Sequence, residues 1–525
     1  MIAWRAAAAA SLGVSMAVFA PGCTAQPKRA ETTLIVAHES DPGTFNPAIT
    51  TSDDVHRVTD QIFNGLVGLD AGMNPIPELA TSWDVVDEGR SYTFHLRPDV
   101  VWHDGAPFTS ADVKFTFEEA LLRFHSRTRV ALAALVAGID APDAGTVVFR
   151  LRQPYGALLQ RLDVVEAPIL PKHVFAGHDI SSTPAKLAPI GTGPFEFVRY
   201  EKGQAVELKR NLQYFRRGFP KIDRLVFRVL PSATPAVAAL ERRDVDFVPS
   251  IPAAEVAKVK MTAGITVAES TGASGNAFCQ DVLIPNLTHP PFSIVDVRRA
   301  FYTAVDRSAI VDRLYFGQGT PSTGPVSRKL SWAYSPDVTA YPFDPDAAAR
   351  LLDAAGLPRK SGGDRFSVAF THPQPAAPLA GILREQLKKV GIDLVLDPLD
   401  TNTAVEKIFV TKSFDLGFAS YCNGADPEIG VRRMYASSNI GPVPFSNGAG
   451  YSSAQVDALF DQAARLLDRA ARARVYAEAQ RWLTDDLPYF WIVDKDAASA
   501  FRSEFSGFRL WTGSFAEAVE RASSR

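Results

Sequence analysis

The sequence predicts an α/β protein in which helices pack on a sheet with parallel strands. Three observations lead to this fold class: a length of 525 residues, a composition that is 46% apolar and 22% charged, and an alternation of strand and helix patterns between residues 366 and 419. At roughly 150 residues per domain, this length allows about three domains or subdomains and a sizeable core. The composition excludes a disordered chain, a collagen-like chain and a small disulfide scaffold.

The alternation is the strongest local signal for the fold. Residues 366–370, 392–396 and 414–419 have strand patterns, and residues 377–390 and 403–410 have helix patterns between them. A β-α-β-α-β order predicts parallel strands joined by right-handed crossovers. Ligands of such sheets bind beyond the carboxyl ends of the strands. We therefore expect the segment after residue 419 to contribute to a ligand site.

Other segments fit the same fold class. Residues 92–97 alternate as a half-buried strand, and Thr109, with an acidic residue three positions later, predicts the capped start of an amphipathic helix. Two long amphipathic helices are predicted over 453–467 and 470–483, and a strand follows over 489–493.

The N-terminal segment has the pattern of an export signal. One positive charge precedes an apolar run over residues 6–20, which is shorter than the roughly 20 residues of a membrane-spanning helix. Two cleavage sites are open: before Cys23, as in a lipoprotein signal of residues 1–22, or before Gln26, after a signal of residues 1–25. We expect an exported protein of the periplasm or cell envelope, anchored to the membrane if Cys23 carries a lipid.

The charge balance and the absence of catalytic motifs favour a binding protein over an enzyme or a nucleic-acid binder. Fifty-five Lys and Arg residues against 58 Asp and Glu residues give a net charge of −3, which leaves no basic excess for nucleic-acid phosphates. The sequence has no hydrolase nucleophile elbow, zinc-protease motif, phosphate-binding loop or dinucleotide fingerprint. We expect no enzymatic activity, no cofactor, no metal site and no nucleic-acid partner.

Two cysteines follow the export signal. Cys279 and Cys422 lie far apart in the sequence, and export to an oxidising compartment permits them to form a disulfide. The alternative is two independent buried thiols.

Several motifs stand in a fixed order along the chain. The longest is ATSWDVVDEGRSYTFHLRPDVVWHDG at 80–105, followed by PFTSADV at 107–113. Shorter motifs follow: GTGPF at 191–195, RN at 210–211, YF at 214–215, PPF at 290–292, VRRA at 297–300, VDR at 305–307, GY at 450–451, VDAL at 456–459 and LPY at 487–489. In this number and order the motifs resemble family 5 of the extracellular solute-binding proteins, the peptide/nickel type. Members of this family are the capture subunits of ABC importers.

The resemblance implies a two-lobed periplasmic-binding-protein fold, of the Venus-flytrap type, with an extra domain inserted in the first lobe. The lobes would close about a hinge on the ligand. The implied boundaries are 26–75, 190–277 and 489–525 for the first lobe, 76–189 for the inserted domain, and 278–488 for the second lobe.

The implied function is capture of a peptide or peptide-like solute and its delivery to an ABC permease in the cytoplasmic membrane, by a monomer. One alternative is a binder of a non-peptide anion, either opine-like or a metal chelate. A lesser alternative is an envelope enzyme on the same scaffold, since a fold does not fix a function.

The resemblance also implies ligand contacts after residue 419. In peptide-binding members, the peptide lies along the backbone of the segment that matches Ser420, Tyr421 and Cys422, and an aspartate soon after it pairs with the α-ammonium. Here Asn423 and a glycine stand at those positions. An amide cannot neutralise an ammonium, so this departure argues against free-amine peptides as the main ligand.

The next segment supplies charged candidates. Asp426 matches an acid that precedes proline in the family. Either Arg432 or Arg433 could grip a ligand carboxylate or phosphate with two hydrogen bonds. The alternative for each arginine is a structural ion pair with Asp426 or Glu428 on a helix face.

The remaining candidates lie in segments that the family brings to the cleft. They are Phe45, Asn46, Tyr435, Tyr489 and Trp491, with Tyr421 as a further aromatic wall. Some peptide-binding members also carry a disulfide at positions that look equivalent to Cys279 and Cys422, which favours the paired state of these cysteines.

Overall fold

The computed structural model describes residues 31–181, 188–269, 278–510 and 519–524. The predicted export signal and the predicted lipidation site at Cys23 lie outside the described residues. Within the described ranges, no helix combines the length and the apolar character that a membrane crossing requires.

The described chain contains three sheets of four or more strands and two short two-stranded ladders. In chain order the strands are β1 (Thr33–His38), β2 (Val67–Leu69), β3 (Pro75–Pro77), β4 (Ala80–Val86), β5 (Ser91–Leu96), β6 (Val136–Asp143), β7 (Thr146–Leu151), β8 (Phe195–Glu201), β9 (Ala205–Arg210), β10 (Arg224–Val229), β11 (Phe247–Val248), β12 (Ile265–Ala268), β13 (Cys279–Pro285), β14 (Gly319–Pro321), β15 (Phe366–Pro373), β16 (Ile392–Leu399), β17 (Leu416–Cys422), β18 (Phe490–Lys495), β19 (Ser499–Arg502), β20 (Phe505–Ser506) and β21 (Ser523–Ser524).

The α-helices of the described residues are α1 (Asp53–Thr59), α2 (Ser110–Phe115), α3 (Ser126–Leu132), α4 (Lys172–Phe175), α5 (Ala233–Glu241), α6 (Ala253–Lys260), α7 (Val295–Thr303), α8 (Arg307–Leu314), α9 (Pro345–Ala354), α10 (Ala377–Lys388), α11 (Thr401–Val405), α12 (Pro427–Gly430), α13 (Arg432–Tyr435), α14 (Ala454–Arg465) and α15 (Arg469–Asp486). π-Helical turns extend α2 over Thr116–Leu121 and α11 over Glu406–Val410.

The first lobe contains a seven-stranded sheet of order β12-β19-β11-β1-β10-β9-β8 and a four-stranded antiparallel sheet of order β4-β5-β7-β6. In the larger sheet, β1 runs parallel to both of its neighbours. One buried apolar cluster spans both sheets, since it includes Leu34 and Val36 of β1 together with Phe94 of β5 and Phe149 of β7. The strands of this lobe come from two parts of the chain, one before residue 279 and one after residue 495.

The second lobe contains a six-stranded sheet of order β14-β18-β13-β17-β15-β16. The alternation predicted from the sequence is confirmed, since β15 runs parallel to β16 and to β17, with α10 and α11 in the crossovers. The strand predicted over 414–419 begins at Leu416 and extends to Cys422, because it pairs with β13 as far as Cys279. Ser420, Tyr421 and Cys422 therefore lie within a strand.

In the part of the chain that the structure describes, the strand order places two passages between the lobes: one between β12 and β13, and one between β18 and β19. The sequence placed residues 489–493 in the first lobe, but β18 pairs with β13 and β14 of the second sheet. The second lobe is thus one continuous stretch of chain, from β13 through β18.

Candidate functional site

The backbone of β17 has one edge that is only partly covered. β13 pairs with β17 along its whole length, but β15 pairs with it only at Leu416 and Gly417. The amide of Asn423 donates to the carbonyl of Phe278 at 3.0 Å, just beyond the last pair of the ladder. Because hydrogen-bonded pairs alternate in antiparallel ladders, Ser420 turns its own N–H and C=O away from β13, towards the uncovered edge.

A disulfide closes one end of this ladder. Cys279 and Cys422 lie directly opposite one another on β13 and β17, with 3.8 Å between their Cα atoms, and their sulfurs are bonded. The bond links the residue at which the chain enters the second lobe to the last residue of β17.

The side chain of Ser420 belongs to a polar contact at the hinge. The Ser420 hydroxyl accepts a hydrogen bond from Lys495 Nζ at 2.8 Å, and the same ammonium lies 3.0 Å from the carboxylate of Asp281. The Tyr315 hydroxyl donates to the other oxygen of Asp281 at 2.5 Å. Lys495 therefore ties β17 and β13 to the end of β18, where the chain returns to the first lobe.

Asn423 is fully buried, and its amide is bonded at both ends to a loop of the same lobe. Its Oδ1 accepts from the amide of Ser327 at 2.6 Å, and its Nδ2 donates to the carbonyl of Pro325 at 3.3 Å. Both ends of the amide are thus occupied by backbone groups of the protein, and a contact of Asn423 with a ligand stays a prediction. Asn423 therefore gives no reason to exclude free-amine peptides.

Asp426 is also fully buried, within an ion pair. Its Oδ1 accepts from Arg472 Nη2 at 2.6 Å, from the Tyr476 hydroxyl at 3.2 Å and from the backbone amide of Glu428 at 2.9 Å. These contacts cap α12 and attach it to α15. Asp426 therefore has a structural role in the second lobe.

The two adjacent arginines of α13 have different surroundings. Arg432 forms ion pairs with Glu428, at 3.2 Å, and with Asp461. The guanidinium carbon of Arg433 lies over the Tyr421 ring, 5.5 Å from its centroid. No described carboxylate lies within ion-pair distance of Arg433, and its buried Nε has no hydrogen-bond partner among the described residues.

A charged cluster that the sequence did not predict interacts electrostatically with Arg433. Glu166 lies 3.1 Å from Arg127 Nε and 3.4 Å from Arg161 Nη1. Arg161 also donates to the backbone carbonyl of Glu428 at 3.2 Å, so this cluster reaches the second lobe. The three side chains belong to the first lobe and match no motif, and only the packing of the lobes brings them to Glu428.

Burial changes the ionisation of acids in this region. It raises the pKa of Glu428 to about 7, against the opposing effect of Arg432 and Arg161. It also raises the pKa of Asp163 to about 7, with Glu166 as a further cause.

The aromatic candidates of the second lobe pack against each other. The Tyr421 hydroxyl donates to the carbonyl of Ser446 at 2.9 Å, and Trp491 Nε1 donates to the Tyr435 hydroxyl at 2.8 Å. Tyr489 contacts both tyrosine rings, at 6.1 Å from Tyr421 and 5.2 Å from Tyr435 between ring centroids. All four side chains are fully buried in the core of the lobe, and their contact with a ligand stays a prediction.

Phe45 and Asn46 are buried in the first lobe. Phe45 packs against Phe197 and Tyr200. Asn46 donates to the carbonyl of Ile180 at 2.9 Å and accepts from the amide of Ala48. Both side chains hold the lobe together, and a ligand-binding role for them also stays a prediction.

Two α/β lobes joined by two chain crossings, with a partly uncovered strand edge beside the hinge, form the architecture of receptors that close on a solute. The sequence model for bacterial extracellular solute-binding proteins, family 5, matches residues 74–442. The chain belongs to this family, and it has the two-lobed periplasmic-binding-protein fold.

Named relatives agree with this assignment. A protein of Brucella ovis, named as an ABC transporter peptide-binding protein, is 31% identical, with 96% of this chain and 95% of the relative covered. The dipeptide-binding protein of Pseudomonas aeruginosa is 27% identical, with 92% and 93% covered. Among solved structures, NikZ of Campylobacter jejuni in complex with Ni(L-His) is 25% identical, with a TM-score of 0.78 and 91% and 95% covered.

Proposed function

We propose that this protein captures a peptide or peptide-like solute between its lobes, outside the cytoplasm, and delivers it to an ABC permease in the cytoplasmic membrane. It acts as a monomeric binding protein, without a catalytic step. The observation that carries the proposal is the uncovered edge of β17 at Ser420. The names of the relatives from Brucella and Pseudomonas support the same class of solute.

An extended peptide can add to such an edge as a further strand. Main-chain hydrogen bonds then supply affinity for many sequences, because they do not depend on the side chains of the peptide. Contacts from both lobes exist only when the lobes are closed, so a bound solute shifts the population to the closed form. The permease would recognise that form.

The domain division is part of this proposal. Residues 76–189, which contain the four-stranded sheet, form the domain inserted in the first lobe, and the second lobe extends to the end of β18. The N-terminal segment directs export, and a lipid on Cys23 would anchor the protein to the membrane.

A non-peptide anion is the second candidate ligand, as an opine-like solute or a metal chelate. The guanidinium of Arg433, which has no acidic partner among the described residues, favours it, since such a group donates hydrogen bonds to any carboxylate. NikZ, whose solved structure holds Ni(L-His), gives a precedent for a chelate on this fold.

The test compares two substitutions at one position. Ser420→Pro removes the N–H at the uncovered edge, whereas Ser420→Ala removes only the hydroxyl, and both variants lose the contact with Lys495. Titration calorimetry with mixed di- to pentapeptides should show a loss of about tenfold or more for Ser420→Pro, as expected for one lost hydrogen bond in a closed site. Ser420→Ala should bind within about twofold of the wild type.

Native mass spectrometry of the protein from Gln26 onward, followed by denaturation, identifies any solute that co-purifies. Mixed peptides would support the proposal. Equal affinities of the two Ser420 variants would contradict peptide binding along β17, and a single non-peptide anion would establish the second candidate.

A further inference from the structure

We propose that Arg433 binds a carboxylate of the captured solute, and that Arg127 approaches the same carboxylate from the first lobe. This inference rests on the proposed function and deepens it, because it gives the solute an obligatory anionic group. The proposal starts from the contacts of Arg433, which differ from those of every arginine around it.

Arg433 is partly buried, with its Nε fully buried, yet its guanidinium is not bound to any described acid. Among the described residues, its guanidinium lies over the ring face of Tyr421. The Tyr421 hydroxyl already donates a hydrogen bond to the Ser446 carbonyl. Holding the Nε of a guanidinium out of water, with no acidic partner for the group, carries a free-energy cost. A ligand that brings a carboxylate would offset this cost.

Glu166, the acid that interacts electrostatically with Arg433, is already paired. Arg433 interacts with Glu166, but Glu166 lies at ion-pair distance from both Arg127 and Arg161. The charged and titratable groups that interact electrostatically with Arg433 are therefore one acid, two further guanidiniums and the Tyr421 hydroxyl. Burial is the main cause that lowers the pKa of Arg433, and Arg127 and Arg161 lower it further. Tyr421 and Glu166 act in the opposite direction. With three guanidiniums and one carboxylate among these groups, the local charge is positive and favours an incoming anion.

Arg127 is suited to the same anion from the other side. It lies in the first lobe, on α3, and its side chain is 33% exposed although Glu166 beside it is buried. Arg433 lies in the second lobe, on α13. A carboxylate between the two guanidiniums would contact both only when the lobes are closed, so the same anion would favour closure.

Arg432 provides a matched control. It is the adjacent residue on the same short helix, but Glu428 and Asp461 occupy its guanidinium. Arg432→Gln removes the same charge from the same element without removing the proposed ligand contact.

The experiment measures the affinities of wild type, Arg433→Gln and Arg432→Gln for two peptide pools. Both pools contain di- to pentapeptides of Ala, Gly, Leu and Phe; one has free carboxyl termini and the other is amidated. We expect the wild type and Arg432→Gln to bind the free-acid pool about tenfold or more tightly than the amidated pool. Arg433→Gln should lose this preference.

Thermal unfolding without ligand separates a binding role from a structural one. Because the Arg433 Nε is buried without a hydrogen-bond partner and the guanidinium has no acidic partner among the described residues, Arg433→Gln and Arg433→Met should melt at or above the temperature of the wild type. A lower melting temperature for both would show that Arg433 stabilises the fold, and would overturn the proposal.

The remaining outcomes distinguish this inference from the proposed function. Equal binding of both pools by the wild type, or equal losses in Arg433→Gln and Arg432→Gln, would overturn the role of Arg433 and leave peptide capture standing. If neither pool binds, peptide capture fails. A co-purifying anion that is retained by Arg432→Gln and lost from Arg433→Gln would then still support the role of Arg433.

Discussion

Asn423 and Ser327 are joined by a hydrogen bond of 2.6 Å between the side-chain Oδ1 and the backbone amide. Together with the 3.3 Å bond from Asn423 Nδ2 to the Pro325 carbonyl, it attaches the end of β17 to the loop after β14. An amide is required here because one end must accept and the other must donate.

Asn423→Asp should therefore destabilise the protein. The carboxylate would keep the bond from Ser327, but its second oxygen would oppose the Pro325 carbonyl in a buried position, at a cost of about 2 kcal/mol. Urea unfolding at pH 7 measures the difference. Asn402→Asp in the exposed first turn of α11 is the control, and equal effects of the two changes would show that the Asn423 bonds contribute nothing.

Asp163 should make the stability depend on pH. Burial raises its pKa to about 7, so between the unfolded pKa, near 4, and pH 7 the folded state holds a proton that the unfolded state has lost. The contribution of this group is thus most favourable below pH 4 and declines as the pH rises to 7.

Asp163→Asn should flatten this decline. The free energy of unfolding, measured in urea at pH 5.0 and pH 7.5, should fall less in the variant than in the wild type. The difference should be about 1.4 kcal/mol for each pH unit over which the folded state alone keeps the proton. Asp337→Asn, at a carboxylate that is 77% exposed, should reproduce the wild-type slope. A variant slope identical to that of the wild type would mean that Asp163 is ionised in the fold.

Gly156 lies at a contact between the lobes that excludes a side chain. Its amide donates to the Ala464 carbonyl at 2.7 Å, its carbonyl accepts from Arg472 at 3.2 Å, and a Cβ would come within 1.9 Å of the Leu466 carbonyl. Gly156→Ala should separate the lobes, which increases the radius of gyration in X-ray scattering and weakens solute binding. Gly138→Ala, where a Cβ meets nothing within 4 Å, should change neither quantity.

The disulfide should contribute to stability. Its partners are 143 residues apart, and closing a loop of that length in the unfolded chain contributes about 5 kcal/mol in the chain-entropy model. The double variant Cys279→Ser, Cys422→Ser should unfold at lower urea concentration than the wild type. Dithiothreitol should lower the midpoint of the wild type and leave that of the variant unchanged.

The sequence predicts the elements of the second lobe well because their periodic patterns are local. The strands and helices between Phe366 and Cys422 follow from alternation alone, and the cap at Thr109 follows from the acid three residues later, whose carboxylate accepts the Thr109 amide at 2.8 Å. Strand partners are less local. The assignment of β18 to the second sheet depends on β13, about 200 residues earlier, and no pattern in either strand encodes that choice.

The candidate site is harder to predict, because residue type does not reveal which neighbour satisfies a side chain. Arg432 and Arg433 are chemically equivalent in the sequence, and only the positions of Glu428 and Asp461 distinguish them. Asn423 looked like a substitute for a ligand-binding acid, but its partners are two backbone groups of a distant loop. Arg127 and Glu166 gave no signal, since their spacing in sequence matches no motif.

The position of β1 determines which lobe a lipid anchor on the N-terminal segment would hold at the membrane. β1 is the first described strand and lies inside the seven-stranded sheet, while the last described strands pack in the same lobe. A lipid on the N-terminal segment would therefore pull on the first lobe alone. The second lobe, which is connected to the first by two crossings, would then rotate relative to a first lobe that is held at the membrane. The outer face of the second lobe would be the surface that changes position relative to a transporter.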